Sequence, residues 1–84
     1  MTEITMYSKQ WCPYCRAARS TLDARGLEYQ VIEVTGNQQA FEEMLAKAGR
    51  QTVPQIFFGE EHIGGFDDLQ LYFRDLDNQQ SQNL

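Results

Sequence analysis

The sequence predicts an α/β fold in which a four-stranded mixed β-sheet is flanked by three α-helices. Two observations support this fold class. Short strand-like runs alternate with amphipathic helical stretches in the first part of the chain, and the last helical stretch follows two strand-like runs joined by a tight turn. The element order is therefore β-α-β-α-β-β-α. A length of 84 residues suits one domain, which we assign to residues 1–77, followed by a polar tail at residues 78–84.

The first two strands and the helix between them begin the pattern. Residues 3–7 and 28–34 favour β structure, and a strand–helix–strand unit of this length places its strands parallel, with a right-handed crossover. Pro13 suits the first position of a helix, and Gly26 suits the left-handed residue that follows a helix. The spacing predicts that the buried face of this helix consists of Cys15, Ala18 and Leu22.

The second half of the chain supplies the remaining elements. A second helix ends at Gly49. Its buried face is predicted to consist of Phe41, Met44, Leu45 and Ala48. Residues 53–58 form a third strand, and a turn at residues 59–61 leads into a short fourth strand. Phe57 and Phe58 then lie on opposite faces of the sheet. The third helix is predicted to bury Leu69, Tyr72, Phe73 and Leu76.

Composition limits the possible partners. The formal net charge is −5, whereas nucleic acid and anionic membranes attract basic surfaces. No apolar run reaches the roughly 18 residues that span a bilayer, and residues 1–5 lack the basic and apolar pattern of a signal peptide. We therefore expect a cytoplasmic protein that binds neither nucleic acid nor membrane. The lack of an obvious apolar patch favours a monomer.

The only two cysteines, Cys12 and Cys15, lie at the start of the first helix. The unpaired N–H groups and the dipole of a helix N-terminus favour a thiolate at Cys12. Lys9, Arg16 and Arg19 add positive potential around it. Cys15 is one turn further along on the core face, so it is expected to keep its proton longer. Cys12 is the candidate nucleophile towards a substrate disulfide, and Cys15 is the candidate resolving thiol.

Other roles of the cysteine pair are weaker alternatives. A disulfide that closes so small a loop adds little stability, and a reducing compartment would keep it open. A structural zinc site needs four ligands, but the chain has two cysteines and one histidine, His62. Two copies of the chain could still share a metal or an iron–sulfur cluster across a dimer. Thiol–disulfide exchange remains the leading hypothesis, and no metal is expected.

Three motifs follow one another along the chain. They are Cys12-Pro13-Tyr14-Cys15, Thr52-Val53-Pro54 and Gly64-Gly65-Phe66-Asp67-Asp68-Leu69. In this order and at these spacings they resemble the motifs of dithiol glutaredoxins, whose fold is thioredoxin-like, and the resemblance extends from Ile4 to about Leu76. It implies an enzyme that reduces protein disulfides and glutathione mixed disulfides, with glutathione as the reductant.

The resemblance also implies a glutathione site opposite the cysteines. In such proteins the proline at Pro54 is cis, which exposes the backbone of Val53 to the cysteinyl part of glutathione; the alternative is an ordinary trans proline at a strand start. The γ-glutamyl end would meet N–H groups at Phe66 and Asp67 and the carboxylate of Asp67 or Asp68. Both aspartates could instead only cap the third helix. The complete set implied for glutathione is Lys9, Tyr14, Thr52, Val53, Pro54, Gly65, Phe66, Asp67 and Asp68.

Two positions depart from the family pattern. Lys9 matches the basic residue expected to meet the glycine carboxylate of glutathione, but Phe41 stands where many relatives have a second contact, glutamine or arginine. The candidates to replace that contact are Gln38, Gln39 and Arg50. Phe66 stands where many relatives have a further cysteine, so a third redox-active thiol is absent.

Three functional hypotheses follow from these observations. The first is a glutathione-dependent reductase, whose partners are glutathione and disulfide-containing or glutathionylated proteins. The second is a redoxin of the same fold that thioredoxin reductase reduces and that donates electrons to ribonucleotide reductase. The third is a carrier of an iron–sulfur cluster, which Pro13 disfavours because it stiffens the loop. The Cys-Pro-Tyr-Cys motif and Asp67 favour the first.

Overall fold

The computed structural model describes residues 3–82 of the chain. Its strands are β1 (Ile4–Ser8), β2 (Gln30–Glu33), β3 (Gln55–Phe58) and β4 (Glu61–Gly64). Its helices are α1 (Pro13–Ala24), α2 (Gln38–Ala48) and α3 (Phe66–Gln82). This order confirms the predicted fold class, a four-stranded mixed sheet flanked by three helices.

The four strands form one sheet in the order β2-β1-β3-β4. β1 runs parallel to β2, as the strand–helix–strand pattern predicted, and antiparallel to β3, which pairs with β4. Tyr7 near the end of β1 lies opposite Gln55 at the start of β3. The loop after β1 and the segment before β3 therefore meet at the same edge of the sheet, and this places the cysteines beside Val53 and Pro54.

Apolar side chains cover both faces of the sheet. On one face the fully buried Met6 and Ile56 pack with core residues of α1 and α3. On the other face Tyr7 and Phe57 pack with buried residues of α2. Phe58 belongs to the first cluster, so the placement of the two phenylalanines on opposite faces is confirmed. Each large apolar side chain buried in this way contributes roughly 1.5–3 kcal/mol, which holds the helices against the sheet.

Helix α1 begins where Pro13 predicted. Cys12 is its N-cap residue, and Pro13 occupies the first turn. The predicted buried face is confirmed, since Cys15, Ala18 and Leu22 are all 0% exposed. Gly26 has a φ of +69° and donates its N–H to the Asp23 carbonyl at 2.9 Å, so the left-handed end of the helix is also confirmed.

The buried face of α2 differs from the predicted one at two positions, Leu45, which is exposed, and Ala40, which is buried and was not predicted. Met44 is fully buried and Gly49 ends the helix with a φ of +69°, both as predicted. Leu45 is 43% exposed, so the prediction of its burial was wrong. Consecutive helical residues are rotated by about 100°, and α2 contacts the sheet through Ala40 and Met44, which turns Leu45 towards solvent.

Several boundaries also differ from the expectation. β1 is Ile4–Ser8 instead of residues 3–7, β2 is Gln30–Glu33 instead of residues 28–34, and β4 begins at Glu61, inside the expected turn. β3 begins at Gln55, not at Val53, because the chain turns at the peptide bond that precedes Pro54. Residues 78–82, expected to be an irregular polar tail, continue α3 as helix, and residues 83–84 lie outside the described residues. The domain division after residue 77 stays a prediction. None of the helices within residues 3–82 has the length and apolar character needed to cross a membrane.

Candidate active site

Cys12 stands at the junction between the β1–α1 loop and the first turn of α1. Its backbone is extended, with φ −102° and ψ 107°, and its Sγ accepts a hydrogen bond from the Cys15 N–H at 3.2 Å. The loop is fixed by a hydrogen bond in which the Gln10 N–H donates to Thr35 Oγ1 at 3.0 Å. The sulfur therefore occupies the position of an N-cap acceptor, where the helix N–H groups and dipole stabilise negative charge.

Val53 and Pro54 face this sulfur from the other side. The peptide bond between them is cis, which confirms the conformation that the resemblance implied. The Cys12 thiol points at the Val53 carbonyl oxygen, 3.9 Å from Sγ. A substrate sulfur bonded to Cys12 would thus lie next to an exposed stretch of backbone that can pair with an extended peptide.

Cys15 has a different environment from Cys12. It is completely buried, whereas Cys12 is partly accessible, and the two side chains lie close together. Burial raises the pKa of the Cys15 thiol, and the neighbouring Cys12 side chain adds to this rise, while the Ser8 side chain opposes it. The accessible sulfur is thus at the helix terminus and the buried one is beneath it. The division between nucleophile and resolving thiol stays a prediction.

A groove extends from Val53, which contacts Cys12, to the start of α3. It brings together all but one of the residues that the resemblance implied for glutathione: Tyr14, Thr52, Val53, Pro54, Gly65, Phe66, Asp67 and Asp68. The rings of Tyr14 and Phe66, which both line the groove, pack in a tilted arrangement with centroids 6.4 Å apart. Lys9, the remaining member of the set, lines a separate hollow on the other side of Cys12.

The two aspartates at the start of α3 have different surroundings. Asp68 Oδ2 accepts the Gly65 N–H at 2.9 Å and contacts the Arg50 guanidinium at 3.2 Å. The bond from the Gly65 N–H and the charge of Arg50 hold the pKa of the Asp68 carboxyl below its usual value. Asp68 thus caps the helix, the second of the two roles considered for it, whereas Asp67 is exposed on the groove.

Gly64 has a backbone conformation and a close contact with Asp68 that favour glycine at this position. Its φ is +118°, and a Cβ at this position would collide with the Asp68 carboxylate. The absent side chain thus lets the Asp68 carboxylate return to the Gly65 N–H and close the first turn of α3. This close approach explains the first glycine of the third motif, Gly64.

The structure shows the surroundings of one departure from the family pattern, Phe41 in place of glutamine or arginine. Lys9 Nζ lies 5.8 Å from the centre of the Phe41 ring, so the phenylalanine contacts the lysine through its π face. Among the three candidates to replace the missing contact, Arg50 lines the groove, whereas Gln38 donates its side-chain amide to Glu42 at 3.3 Å. The Arg50–Asp68 pair joins two segments far apart in the chain, so the local pattern contained no signal for it.

Gln55 is a residue of the site that sequence reasoning missed. It is 1% exposed, and its amide nitrogen donates to the Thr52 carbonyl at 3.0 Å and to Thr52 Oγ1 at 3.2 Å. Its Oε1 lies 2.7 Å from His62 Nε2. Gln55 therefore supports the backbone that precedes the cis bond. The sequence indicated its role only through the presence of a polar residue in an apolar strand. His62 lies on β4, as predicted, and stacks on Phe57 at 4.9 Å.

The family model for glutaredoxin matches residues 4–63 of this chain. The chain belongs to the glutaredoxin family. It is 45% identical to glutaredoxin 3 of Escherichia coli K12 over 69 residues, which cover 82% of this chain and 83% of that protein. It is 44% identical to a glutaredoxin of Pseudomonas aeruginosa over 69 residues, or 82% of each chain.

Solved glutaredoxin structures agree with this assignment. A buckwheat glutaredoxin–glutathione complex superposes with a TM-score of 0.79 at 32% identity, covering 88% of this chain and 70% of that one. The solution structure of a Brucella melitensis glutaredoxin gives a TM-score of 0.78 at 36% identity and covers 93% and 87% of the two chains. With its close cysteine pair, this member of the glutaredoxin family is a thiol–disulfide oxidoreductase.

Proposed function

We propose that this glutaredoxin uses glutathione to reduce protein disulfides and to remove glutathione from protein mixed disulfides. The observation that supports it best is the position of the Cys12 sulfur, 3.9 Å from the Val53 carbonyl at one end of a peptide-sized groove. The groove ends at the N-terminus of α3, where N–H groups can donate hydrogen bonds to a carboxylate. A γ-glutamyl tripeptide presents a thiol near its middle and a carboxylate at each end, which fits this layout.

The proposed reaction is two successive thiol–disulfide exchanges. The Cys12 thiolate attacks one sulfur of a protein disulfide, and the other sulfur leaves as a thiolate and takes a proton. Cys15 then loses its proton and attacks Cys12, so that the substrate leaves reduced and a Cys12–Cys15 disulfide remains. Two glutathione molecules reduce this disulfide in turn, the first by forming a mixed disulfide and the second by releasing glutathione disulfide.

The contacts proposed for glutathione follow from the surroundings of each residue. The cysteinyl backbone pairs with Val53, and the γ-glutamyl carboxylate meets the N–H groups of Phe66 and Asp67. The exposed Asp67 takes the ammonium, because Asp68 is already engaged by Gly65 and Arg50. For the glycine carboxylate we propose Lys9, as the resemblance implied. Tyr14, Thr52, Pro54 and Gly65 form the walls of the groove.

One assay separates this function from its main alternative. The protein is mixed with a glutathione mixed disulfide, glutathione, glutathione reductase and NADPH, and NADPH consumption is followed. We expect turnover in this system and none when thioredoxin reductase replaces glutathione and its reductase. The reverse result would favour the redoxin that supplies ribonucleotide reductase. A cytoplasmic location belongs to the same proposal, because a reducing compartment keeps the cysteine pair in its active form.

A cluster carrier is the other alternative, and the protein itself offers a simple test. Within residues 3–82, no group of three or more histidine, cysteine, aspartate or glutamate side chains is placed to hold a metal. The expected absence of a metal remains a prediction. Purification without oxygen should give a colourless monomer, whereas a brown dimer would support cluster binding between two copies.

A further inference from the structure

A second surface feature lies beside Cys12, and it adjoins the proposed glutathione site through Lys9. It is a hollow lined by Lys9, Trp11, Cys12, Arg16 and Arg19, which we call the basic hollow. It shares no lining residue with the groove that extends to α3. Thus Cys12 has a peptide groove on one side and a surface dominated by three cationic side chains on the other.

Within residues 3–82, the cations of the basic hollow form none of the ion pairs, although the chain is acidic. The sequence has 12 aspartates and glutamates against 7 lysines and arginines. In the described part of the chain, the ion pairs use other cations: they are Arg25–Asp77, Lys47–Glu43 and Arg50–Asp68. Among residues 3–82, the one carboxylate that lines the hollow is Glu33, and one of its oxygens already accepts the Thr35 N–H at 3.3 Å. Positive potential is therefore concentrated beside the reactive sulfur of an otherwise negative molecule.

Trp11 adds an apolar contact at the rim of the hollow. It is the only tryptophan of the chain, and its side chain is 90% exposed. Its φ of +62° lies in the left-handed region, which is uncommon for a residue with a large side chain. Exposed tryptophan and arginine are the residues that most often dominate protein–protein binding.

We propose that the basic hollow docks an acidic segment of protein substrates that lies next to their reactive disulfide. The occupant is inferred from charge complementarity, since three unpaired cations at one site attract aspartate and glutamate side chains and repel lysine and arginine. The inference rests on the proposed role of Cys12 as the attacking thiol, and it specifies which disulfides Cys12 attacks fastest. Substrates with acidic flanks are held with their disulfide at Cys12, whereas basic flanks are disfavoured.

The test compares two peptides that contain the same internal disulfide and differ only in flanking residues, glutamates in one and lysines in the other. Fully reduced protein is mixed with each peptide without glutathione, and the reaction is stopped by alkylation to obtain a second-order rate constant. We expect the acidic peptide to react on the order of tenfold faster at low salt. The difference should nearly vanish at about 1 M salt, where the screening length is about 3 Å.

Variants assign the preference to the hollow. Arg16→Gln together with Arg19→Gln should lower the acidic-to-basic rate ratio at least about threefold. Arg74→Gln is the matched control, because Arg74 is exposed, lies on α3 and takes part in none of the ion pairs above. Because each ratio compares two peptides on one variant, a general change in the reactivity of Cys12 cancels.

Three outcomes would overturn the inference. They are equal rates for the two peptides with the unmodified protein, an unchanged ratio in the double variant, and an equal loss with Arg74→Gln. None of them bears on glutathione, because glutathione is absent from the reaction. The NADPH-coupled assay of the proposed function is run in parallel on the same unmodified protein, so a failure of that function is recognised separately.

Discussion

At the scale of single residues, the site depends on an asymmetry between two identical side chains. Cys12 is accessible and accepts a helix N–H, whereas Cys15 is buried and burial raises the pKa of its thiol. The spacing of Cys15 with Ala18 and Leu22 was sufficient to predict this burial. The capping role of Asp68 was only one of two alternatives in the sequence, because it depends on a glycine conformation and on an arginine from another segment.

Serine variants of the two cysteines should separate the two activities. We expect Cys12→Ser to lose all reduction, because no attacking sulfur remains. Cys15→Ser should keep removing glutathione from mixed disulfides, which needs one thiol, and should lose reduction of protein dithiol targets, which needs two. Both activities are measured by NADPH consumption, with a glutathione mixed disulfide and a protein disulfide as substrates. Loss of both in Cys15→Ser would contradict the assigned roles.

The Asp68 carboxylate should make stability depend on pH in acid. Its pKa is lowered in the folded protein from an ordinary value of 3.8, so the unfolded chain takes up the proton first as pH falls. The stabilisation is therefore complete above pH 3.8 and is lost as pH falls further, through the folded-state pKa. The carboxylate is 41% exposed, which limits the effect to about 1 kcal/mol or less.

Urea unfolding at neutral pH and in acid tests this expectation. Asp68→Asn should be less stable than the unmodified protein at neutral pH, and the difference should shrink in acid. Asp75→Asn serves as the control, because Asp75 is an exposed aspartate of the same helix. A difference between Asp68→Asn and the unmodified protein that stays constant with pH would exclude the ionised cap as its cause.

At the scale of elements, the site is made where the ends of β1 and β3 meet. The order of the elements and the parallel β1–β2 pair followed from the element pattern alone, whereas the strand order β2-β1-β3-β4 came from the structure. The cis bond before Pro54 followed only from the resemblance, because composition and periodicity contain no information on a peptide isomer. The support that Gln55 gives to Thr52 could not be predicted from either, since it depends on side-chain geometry at the start of β3.

Gln55→Leu should weaken both the fold and the groove. The leucine fills similar space but leaves the Thr52 carbonyl and the His62 ring without their partner, at a cost of about 1–3 kcal/mol. We expect a lower urea midpoint and a higher KM for the glutathione mixed disulfide. Gln38→Leu is the matched control, because the Gln38 amide bonds only to Glu42 on the surface of α2. Equal effects of the two substitutions would argue against a supporting role of Gln55.

At the scale of the whole molecule, the sheet separates two apolar clusters. The site lies at the end of the sheet where β1 ends and β3 begins. Helix faces with a regular apolar spacing, as in α1, could be predicted well, whereas Leu45 was placed wrongly because an apolar residue beside a buried face looks like part of it. The end of α3 was missed for a related reason. Residues 78–82 are all polar, so the sequence there contains no apolar periodicity that would predict a helix.

Removal of residues 78–84 should leave the fold intact. Asn78 and Gln79 are exposed, and the buried contacts of α3 are made earlier, by Leu69 and Phe73. The chain ending at residue 77 keeps the Arg25–Asp77 ion pair, so its free energy of unfolding should change by no more than about 0.5 kcal/mol. Urea unfolding and the NADPH-coupled assay measure the result. A loss of cooperative unfolding would place residues 78–82 inside the domain.

The complete burial of Cys15 has a practical consequence for anyone who handles the protein. A bulky maleimide can reach only Cys12 while the chain is folded, and it reaches both sulfurs once the chain opens. The number of labels counted by mass spectrometry then reports the opening of the molecule, with Cys12 as an internal standard. The same shielding means that oxidants in solution must act first on Cys12, so the resolving sulfur is oxidised as part of a disulfide and is spared irreversible oxidation.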